Sequence, residues 1–325
     1  MIKEQQWAED FALSGYEIRR LDFPDDDDGA VYATLIRRKT ETASKKAILY
    51  IHGYMDYFFQ PHLAEAFIQH GYNFYALDLR KYGRSLEGVS HPNYCHDIQD
   101  YFAEISEAIR IICEEDKHDT LILKGHSTGG LTSSLYTAHG KYRESIKALI
   151  LNSPFFDFNL QPVVKFAMTL FARSGRFFPY LSLQGRVPVP YILSLHKDFH
   201  GEWDFSLDYR RPQGFPIYAG WLRAILKAHQ RVREGLDIHC PVLNMYSDKS
   251  IYGRKYTEKH QTGDAILNVK HIREGSQYLG KNVHQVEIKE GLHDLVLSRQ
   301  DVREKVFEKI FTWLETVESN QEETS

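Results

Sequence analysis

A serine with glycine two positions away on each side, Gly125-His126-Ser127-Thr128-Gly129, stands where an apolar run ends and a helical pattern begins. Thr120-Leu121-Ile122-Leu123 reads as a buried strand, and Gly130, Leu131, Leu135 and Ala138 carry helical spacing behind it. Joining strand to helix this abruptly forces strained backbone angles at the serine. It also leaves no room for side chains beside it, which is why glycine is needed at both flanking positions. The pentapeptide in this setting reads as a nucleophile elbow.

The rest of the chain supplies a fold in which such a turn makes sense. From Lys46 onward, strands that are apolar throughout alternate with amphipathic helices, as in a mostly parallel sheet covered on both faces. Strands are expected at 47–51, 73–77, 120–123, 148–151, 242–246 and 283–288. Between them Ile98, Phe102, Ile105, Ile109 and Ile112 form one helical face, and Val302, Val306, Ile310 and Trp313 form another on a last helix near 299–317. A polar tail is expected from Glu318 to Ser325. Residues 15–23 and 30–38 alternate apolar and polar around Pro24-Asp25-Asp26-Asp27-Asp28-Gly29, which predicts an antiparallel hairpin with a solvated acidic turn.

From Pro154 to about Pro216 the alternation gives way to an aromatic stretch punctuated by Pro188 and Pro190, too long for an ordinary connection. It predicts a cap at 155–216 inserted into a core formed by 1–154 and 217–325. Most of its aromatics, among them Phe166, Phe171, Phe177 and Phe178, are expected to form the cap's own small core, with some apolar surface facing the serine.

Charge and cysteine content exclude several function classes. A net charge of −4 with 26% charged residues offers no basic surface for nucleic acid. The opening Met1-Ile2-Lys3-Glu4-Gln5-Gln6 lacks the apolar core of a signal peptide, and no run is long enough for a membrane span, so a cytoplasmic protein without stable membrane insertion is expected. Cys95, Cys113 and Cys240 are too few and too scattered for a disulfide framework or a metal site. The acidic run lacks the spaced ligands of a calcium loop, and no metal is implied.

A serine hydroxyl attacks at neutral pH only if a base accepts its proton and a carboxylate holds that base in one tautomer. His293 is the candidate base. Glu290-Gly291-Leu292-His293-Asp294 follows the last apolar strand and precedes the final helix, where a loop emerges at the carboxyl edge of the sheet. Two acids compete. Asp248 comes directly after the strand at 242–246, whereas Asp264 lies 29 positions before His293, room for one helix and one strand. Asp264 is preferred and Asp248 is the runner-up, which could instead serve as a turn residue. An oxyanion hole is expected from the backbone N–H groups of Thr128, after the nucleophile, and Tyr54, after His52-Gly53.

With these residues assembled, the chain resembles the α/β-hydrolase superfamily, and within it the group of monoglyceride lipases, lysophospholipases and serine aminopeptidase-type hydrolases. The landmarks are Leu49-Tyr50-Ile51-His52-Gly53, Ala76-Leu77-Asp78-Leu79-Arg80-Lys81-Tyr82-Gly83-Arg84-Ser85, Lys124-Gly125-His126-Ser127-Thr128-Gly129-Gly130 and Gly291-Leu292-His293-Asp294. The resemblance favours Asp264 as the acid. The chain departs from the group by an extra stretch at 249–263 and by Lys81 where relatives usually carry glycine. The resemblance implies hydrolysis of a small-molecule acyl ester through an acyl-enzyme, with no metal or organic cofactor. A peptidase of the same fold would need a carboxylate to grip an amine, for which Asp198, Glu202, Asp204 and Asp208 are candidates although a solvated cap surface suits them better. A non-catalytic ligand receptor is the alternative from another class. Ser127, where a dehalogenase or epoxide hydrolase carries aspartate, argues against those two.

Overall fold

A computed structural model describes residues 6–184 and 189–322, with the side chains of 321 and 322 excepted. Met1 to Gln5, Pro188 of the proline-punctuated stretch and residues 323–325 of the polar tail lie outside the described residues.

The chain opens with β1 (Ala8–Glu9), β2 (Glu17–Asp26) and β3 (Gly29–Arg38), then β4 (Lys46–Ile51), α1 (Pro61–Gln69) and β5 (Asn73–Asp78). It continues with α2 (Phe102–Arg110), β6 (Thr120–His126), α3 (Thr128–His139) and β7 (Ile146–Asn152). After β7 come α4 (Pro162–Ser174), β8 (Ser182–Leu183), α5 (Pro190–Leu195), β9 (Ile217–Tyr218) and α6 (Ala219–Arg233). Finally β10 (Val242–Ser247), α7 (Val269–Gly275), β11 (Val283–Ile288) and α8 (Gln300–Glu322) close the fold. Nine strands form one sheet in the order β1-β2-β3-β5-β4-β6-β7-β10-β11. Every pairing from β5 to β11 is parallel, and the β1-β2-β3-β5 edge is antiparallel.

The central strands are apolar on both sides because helices cover both sheet faces. Leu49, Ile51, Leu121, Leu123 and Leu149 pack beneath α2, α3 and α6. The alternate residues Ile48, Tyr50, Ile122 and Ile150 pack beneath α1, α5 and α8. The predicted helical faces are in place: Ile98, Ile105, Ile109 and Ile112 are buried, as are Val302, Val306 and Ile310. Among the described residues no helix is long and apolar enough to cross a membrane.

Three expectations are corrected. In the hairpin, β2 continues through Pro24 to Asp26, which pairs with Gly29 after a register shift, so only Asp27 and Asp28 form the turn. Nor is the acidic turn simply solvated. Asp28 accepts from Lys81 Nζ (3.1 Å) and the His91 backbone N–H (3.0 Å), while Asp26 lies 2.9 Å from the same ammonium. Second, the last helix runs on to Glu322, because Glu318 gains both Lys46 Nζ at 2.7 Å and the Tyr72 hydroxyl at 2.6 Å. Third, Phe166, Phe177 and Phe178 form no cap core; they are 66%, 75% and 66% exposed.

The loops after β4 and β5 are joined by a buried ion network. Arg84 reaches Asp10 Oδ2 at 2.6 Å and Asp78 Oδ2 at 2.9 Å, with all three side chains fully buried. The other oxygen of Asp78 accepts the Phe58 backbone N–H at 2.9 Å, so one carboxylate ties both loops together. Removing one partner of such a network strands the others without compensation. Arg84→Met is therefore expected to lower the unfolding free energy by about 3–5 kcal/mol, read by urea denaturation. A loss below about 1 kcal/mol would mean that the two carboxylates do not depend on it.

Candidate active site

Ser127 sits alone between the end of β6 and the start of α3, with φ of 52° and ψ of −116°. A residue with a Cβ takes this backbone only under strain. The flanking glycines make it possible, since a Cβ on Gly125 would come within 2.5 Å of the Gly129 carbonyl oxygen. One on Gly129 would collide with the carbonyls of Ile51 and His52. The two glycines thus let α3 lie against β6 and β4.

The hydroxyl meets the expected histidine. Ser127 Oγ lies 2.9 Å from His293 Nε2, and His293 Nδ1 lies 2.9 Å from Asp264 Oδ2. The other oxygen of Asp264 accepts the backbone N–H groups of Ile266 (2.8 Å) and Leu267 (2.7 Å), so the carboxylate is held on both sides. With Asp264 accepting at Nδ1, the hydrogen-bond network assigns the Nε2 lone pair to the serine.

Asp264 reaches this place by a detour. The extra stretch at 249–263 leaves the end of β10 and returns to it. Asp264 N–H donates to the Lys249 carbonyl (2.9 Å) and Ile251 N–H to the Asp264 carbonyl (2.7 Å), a strand-like bridge. On the way, Gln261 Nε2 donates to the carbonyls of Ser194 (2.6 Å) and His200 (3.0 Å), and Tyr256 stacks on His200 at 3.8 Å. Asp248 has a different place. Its Oδ1 accepts the Glu290 backbone N–H at 2.7 Å, which fastens the start of the histidine loop to β10.

Thr128 begins α3, so its N–H belongs to the positive end of that helix beside the serine. The loop bearing Tyr54 runs against the nucleophile, where a Cβ on Gly53 would lie 3.1 Å from Ser127 Cβ. His52 braces this loop by accepting the Leu79 N–H at Nε2 (3.1 Å). The Tyr54 ring stacks on Trp221 at 3.9 Å.

Ser127, His293, Tyr54 and Thr128 line a cavity of about 510 Å³. Its walls are mostly apolar, with Phe155, Phe158, Leu160, Val164 and Met168 from the stretch after β7 and Trp221 and Leu222 from α6. None of Asp198, Glu202, Asp204 or Asp208 lines it.

Beneath the histidine lies a group of buried charges, to which the motifs containing Lys124, His126 and Asp294 assign no role. Arg210 Nη1 approaches Asp56 Oδ1 at 3.2 Å, and both residues line the cavity. Lys124 is fully buried on β6 with its ammonium 4.9 Å from the Tyr50 ring, and burial pushes its pKa down to about 8. Burial likewise pushes His126 down to about 4, so this imidazole is neutral at neutral pH. Asp56, His126 and Asp294 bring ligand atoms within 4.8 Å of one another. This donor set does not suit a divalent cation, because Arg210 and Lys124 already supply the countercharge and Asp294 accepts from Asn152 at 2.6 Å.

The family model described as serine aminopeptidase, S33, matches residues 42–250, a span that includes Ser127 and stops before Asp264 and His293. No curated protein matches the sequence. Among solved structures, a soluble variant of monoglyceride lipase from Saccharomyces cerevisiae, in complex with a substrate analog, is similar with a TM-score of 0.65 and 15% identity over 92% of this chain and 96% of that one. Monoacylglycerol lipase from Paleococcus ferrophilus gives a TM-score of 0.62 at 21% identity over 88% and 99%. A carboxyl esterase from Bacillus coagulans in complex with glycerol gives 0.64 at 13% over 92% and 98%. At these identities the likeness is one of fold.

The close approach at the elbow has a measurable consequence. Gly125→Ala must displace α3 from β6 and is expected to cost about 1–3 kcal/mol of stability, seen as a lowered thermal midpoint. An unchanged midpoint would show that the turn has slack that the packing around it does not suggest.

Proposed function

The chain belongs to the serine aminopeptidase S33 family within the α/β-hydrolase superfamily, and on that premise we propose that it hydrolyses carboxylic esters through an acyl-enzyme. The observation that carries this reading is the unbroken hydrogen-bonded line from Ser127 Oγ through His293 to Asp264, both links at 2.9 Å, opening on an apolar cavity.

In the proposed reaction Ser127 Oγ attacks the ester carbonyl while His293 Nε2 takes its proton. Asp264 holds the imidazolium that forms through Nδ1–H. The carbonyl oxygen becomes an alkoxide and receives the backbone N–H groups of Tyr54 and Thr128. Collapse expels the alcohol, which leaves with the proton from His293. Water then repeats the sequence on the acyl-enzyme, His293 taking its proton, and releases the carboxylic acid and free Ser127.

We assign the cap role to residues 155–216 over a core of 1–154 and 217–325. The cavity wall contributed by Phe155, Phe158, Leu160, Val164 and Met168 supports that division. A single-chain acyl ester suits a cavity of about 510 Å³ with apolar walls: a monoacylglycerol, a lysophospholipid or a shorter acyl ester. The ester reading is preferred to a peptidase because the four cap acids that might grip an amine do not line the cavity.

A fluorophosphonate is expected to label the chain covalently, and Ser127→Ala to abolish labelling. On nitrophenyl acyl esters Asp264→Asn is expected to lower kcat by about 10³–10⁴-fold, and Asp248→Asn by less than about tenfold. An intact, folded chain that resists the probe and releases no nitrophenol would overturn the esterase reading. A larger loss at Asp248 would overturn the assignment of the acid.

A further inference from the structure

In the sheet order β6-β7-β10-β11, the strand leading to the serine and the strand leading to the histidine are three steps apart. At about 4.8 Å per step this leaves on the order of 14 Å to be bridged. The two strands do not pair, so something at the ends of the intervening strands must hold the loops in register. A shift of 1 Å between nucleophile and base is enough to slow such chemistry by about 10²-fold.

Asn152, the last residue of β7, occupies that position. Its carbonyl accepts the Ser127 backbone N–H at 3.0 Å and lies 3.2 Å from His126 Nδ1. Its side chain faces the other loop, with Nδ2 donating to Asp294 Oδ1 at 2.6 Å and Oδ1 accepting the Leu295 N–H at 3.2 Å. One residue therefore grips 126 and 127 with its backbone and 294 and 295 with its amide. Asp294 is anchored in turn: its N–H donates to the Tyr191 hydroxyl (2.9 Å), and its Oδ2 accepts from Gln60 Nε2 (3.4 Å). Asn152, Asp294, Gln60 and Tyr191 are all buried, so water does not compete for these bonds.

Resting on the hydrolase reading above, we propose that Asn152 and Asp294 are a positioning pair that holds Ser127 and His293 in register across the two intervening strand ends. Neither side chain is bonded to Ser127 Oγ or to the His293 ring, which meet each other and Asp264, so the pair acts through the loops it fixes. An amide is the group this place requires, since it offers a donor to the carboxylate and an acceptor to the Leu295 N–H on one rigid plane. An ionised Asp at 152 would set two carboxylates face to face. Exchanging the two residues restores a donor and an acceptor. It moves the carboxylate by about one hydrogen-bond length and leaves the number of buried charges beside Lys124 and Arg210 unchanged.

The test uses the full chain as Asn152→Asp, as Asp294→Asn and as the exchange carrying both. Nitrophenyl ester turnover, fluorophosphonate labelling rate and thermal unfolding are measured for each. Asn152→Asp is expected to lower kcat and the labelling rate about 100-fold with KM within about twofold. The exchange is expected to recover at least tenfold of that loss. A single variant that does not fold, beside a folded exchange variant within about tenfold of the parent chain, also supports the pair. Folded single variants at parental kcat overturn it. So does a folded exchange variant no faster than Asn152→Asp, or one that fails to fold, since it keeps the same bond. A parent chain inert to both probe and ester removes the hydrolase reading itself. A reactive parent with an unimproved exchange variant removes only the positioning pair.

Discussion

The backbone turn at Ser127 is the constraint on which the rest of the molecule depends. Holding a side-chain-bearing residue at positive φ costs about 1–3 kcal/mol, and the fold fixes that residue from several directions. Its N–H donates to the Asn152 carbonyl at 3.0 Å, and its own carbonyl accepts from Leu131 at 3.1 Å and Phe155 at 3.0 Å. β7, α3 and the chain leaving β7 each hold one end of the strained peptide. The flanking glycines then bring α3 down onto β4 and β6, so that the strain is offset by packing over a whole helix. This explains why Ser127, only 8% exposed, still faces a cavity: the turn points it there, and no side chain stands beside it.

Much of this was legible because it is local. The elbow, the apolar strands and both helical faces come from spacings of a few residues, and the strands lie within two residues of their expected bounds, except that β6 continues into the elbow itself. Asp264 was reached by a length argument. The structure places its carboxylate 2.9 Å from His293 Nδ1 for a reason the sequence does not display: the stretch from Lys249 folds back on its own first residues, just beyond β10, through the bridge between Ser250 and Asp264. What stayed hidden depends on pairings across long separations. Lys81 is 53 residues from Asp28, and Glu318 is 272 from Lys46. An acidic turn and a polar tail look solvated until the cations that face them are known. The exposed Phe166, Phe177 and Phe178 were missed for the opposite reason, since composition cannot say which face of a short helical segment is covered.

The stretch that delays the acid has a second consequence. It is the same loop that grips residues 194–200 through Gln261 and Tyr256, while α5, which ends at Leu195, packs on the sheet face beneath the histidine loop. Asp264, residues 194–200 and α5 are thereby joined through this one stretch of chain. A shorter connection from β10 would leave residues 194–200 without Gln261 and Tyr256. The 249–263 stretch thus supports residues 194–200 as well as leading to Asp264.

The charges beneath the histidine follow from a balance that no one of them achieves alone. Two cations, Lys124 and Arg210, face two carboxylates, Asp56 and Asp294, in a space where an isolated charge costs several kcal/mol. His126 stays neutral between them. The carboxylate bonded directly to the His293 ring is Asp264, which meets Nδ1 while the serine meets Nε2. Countercharges drawn from β6, the segment before β9, the loop after β4 and the histidine loop can cancel only when all four segments are in their native places. This balance therefore couples the placement of His293 to the completion of the fold.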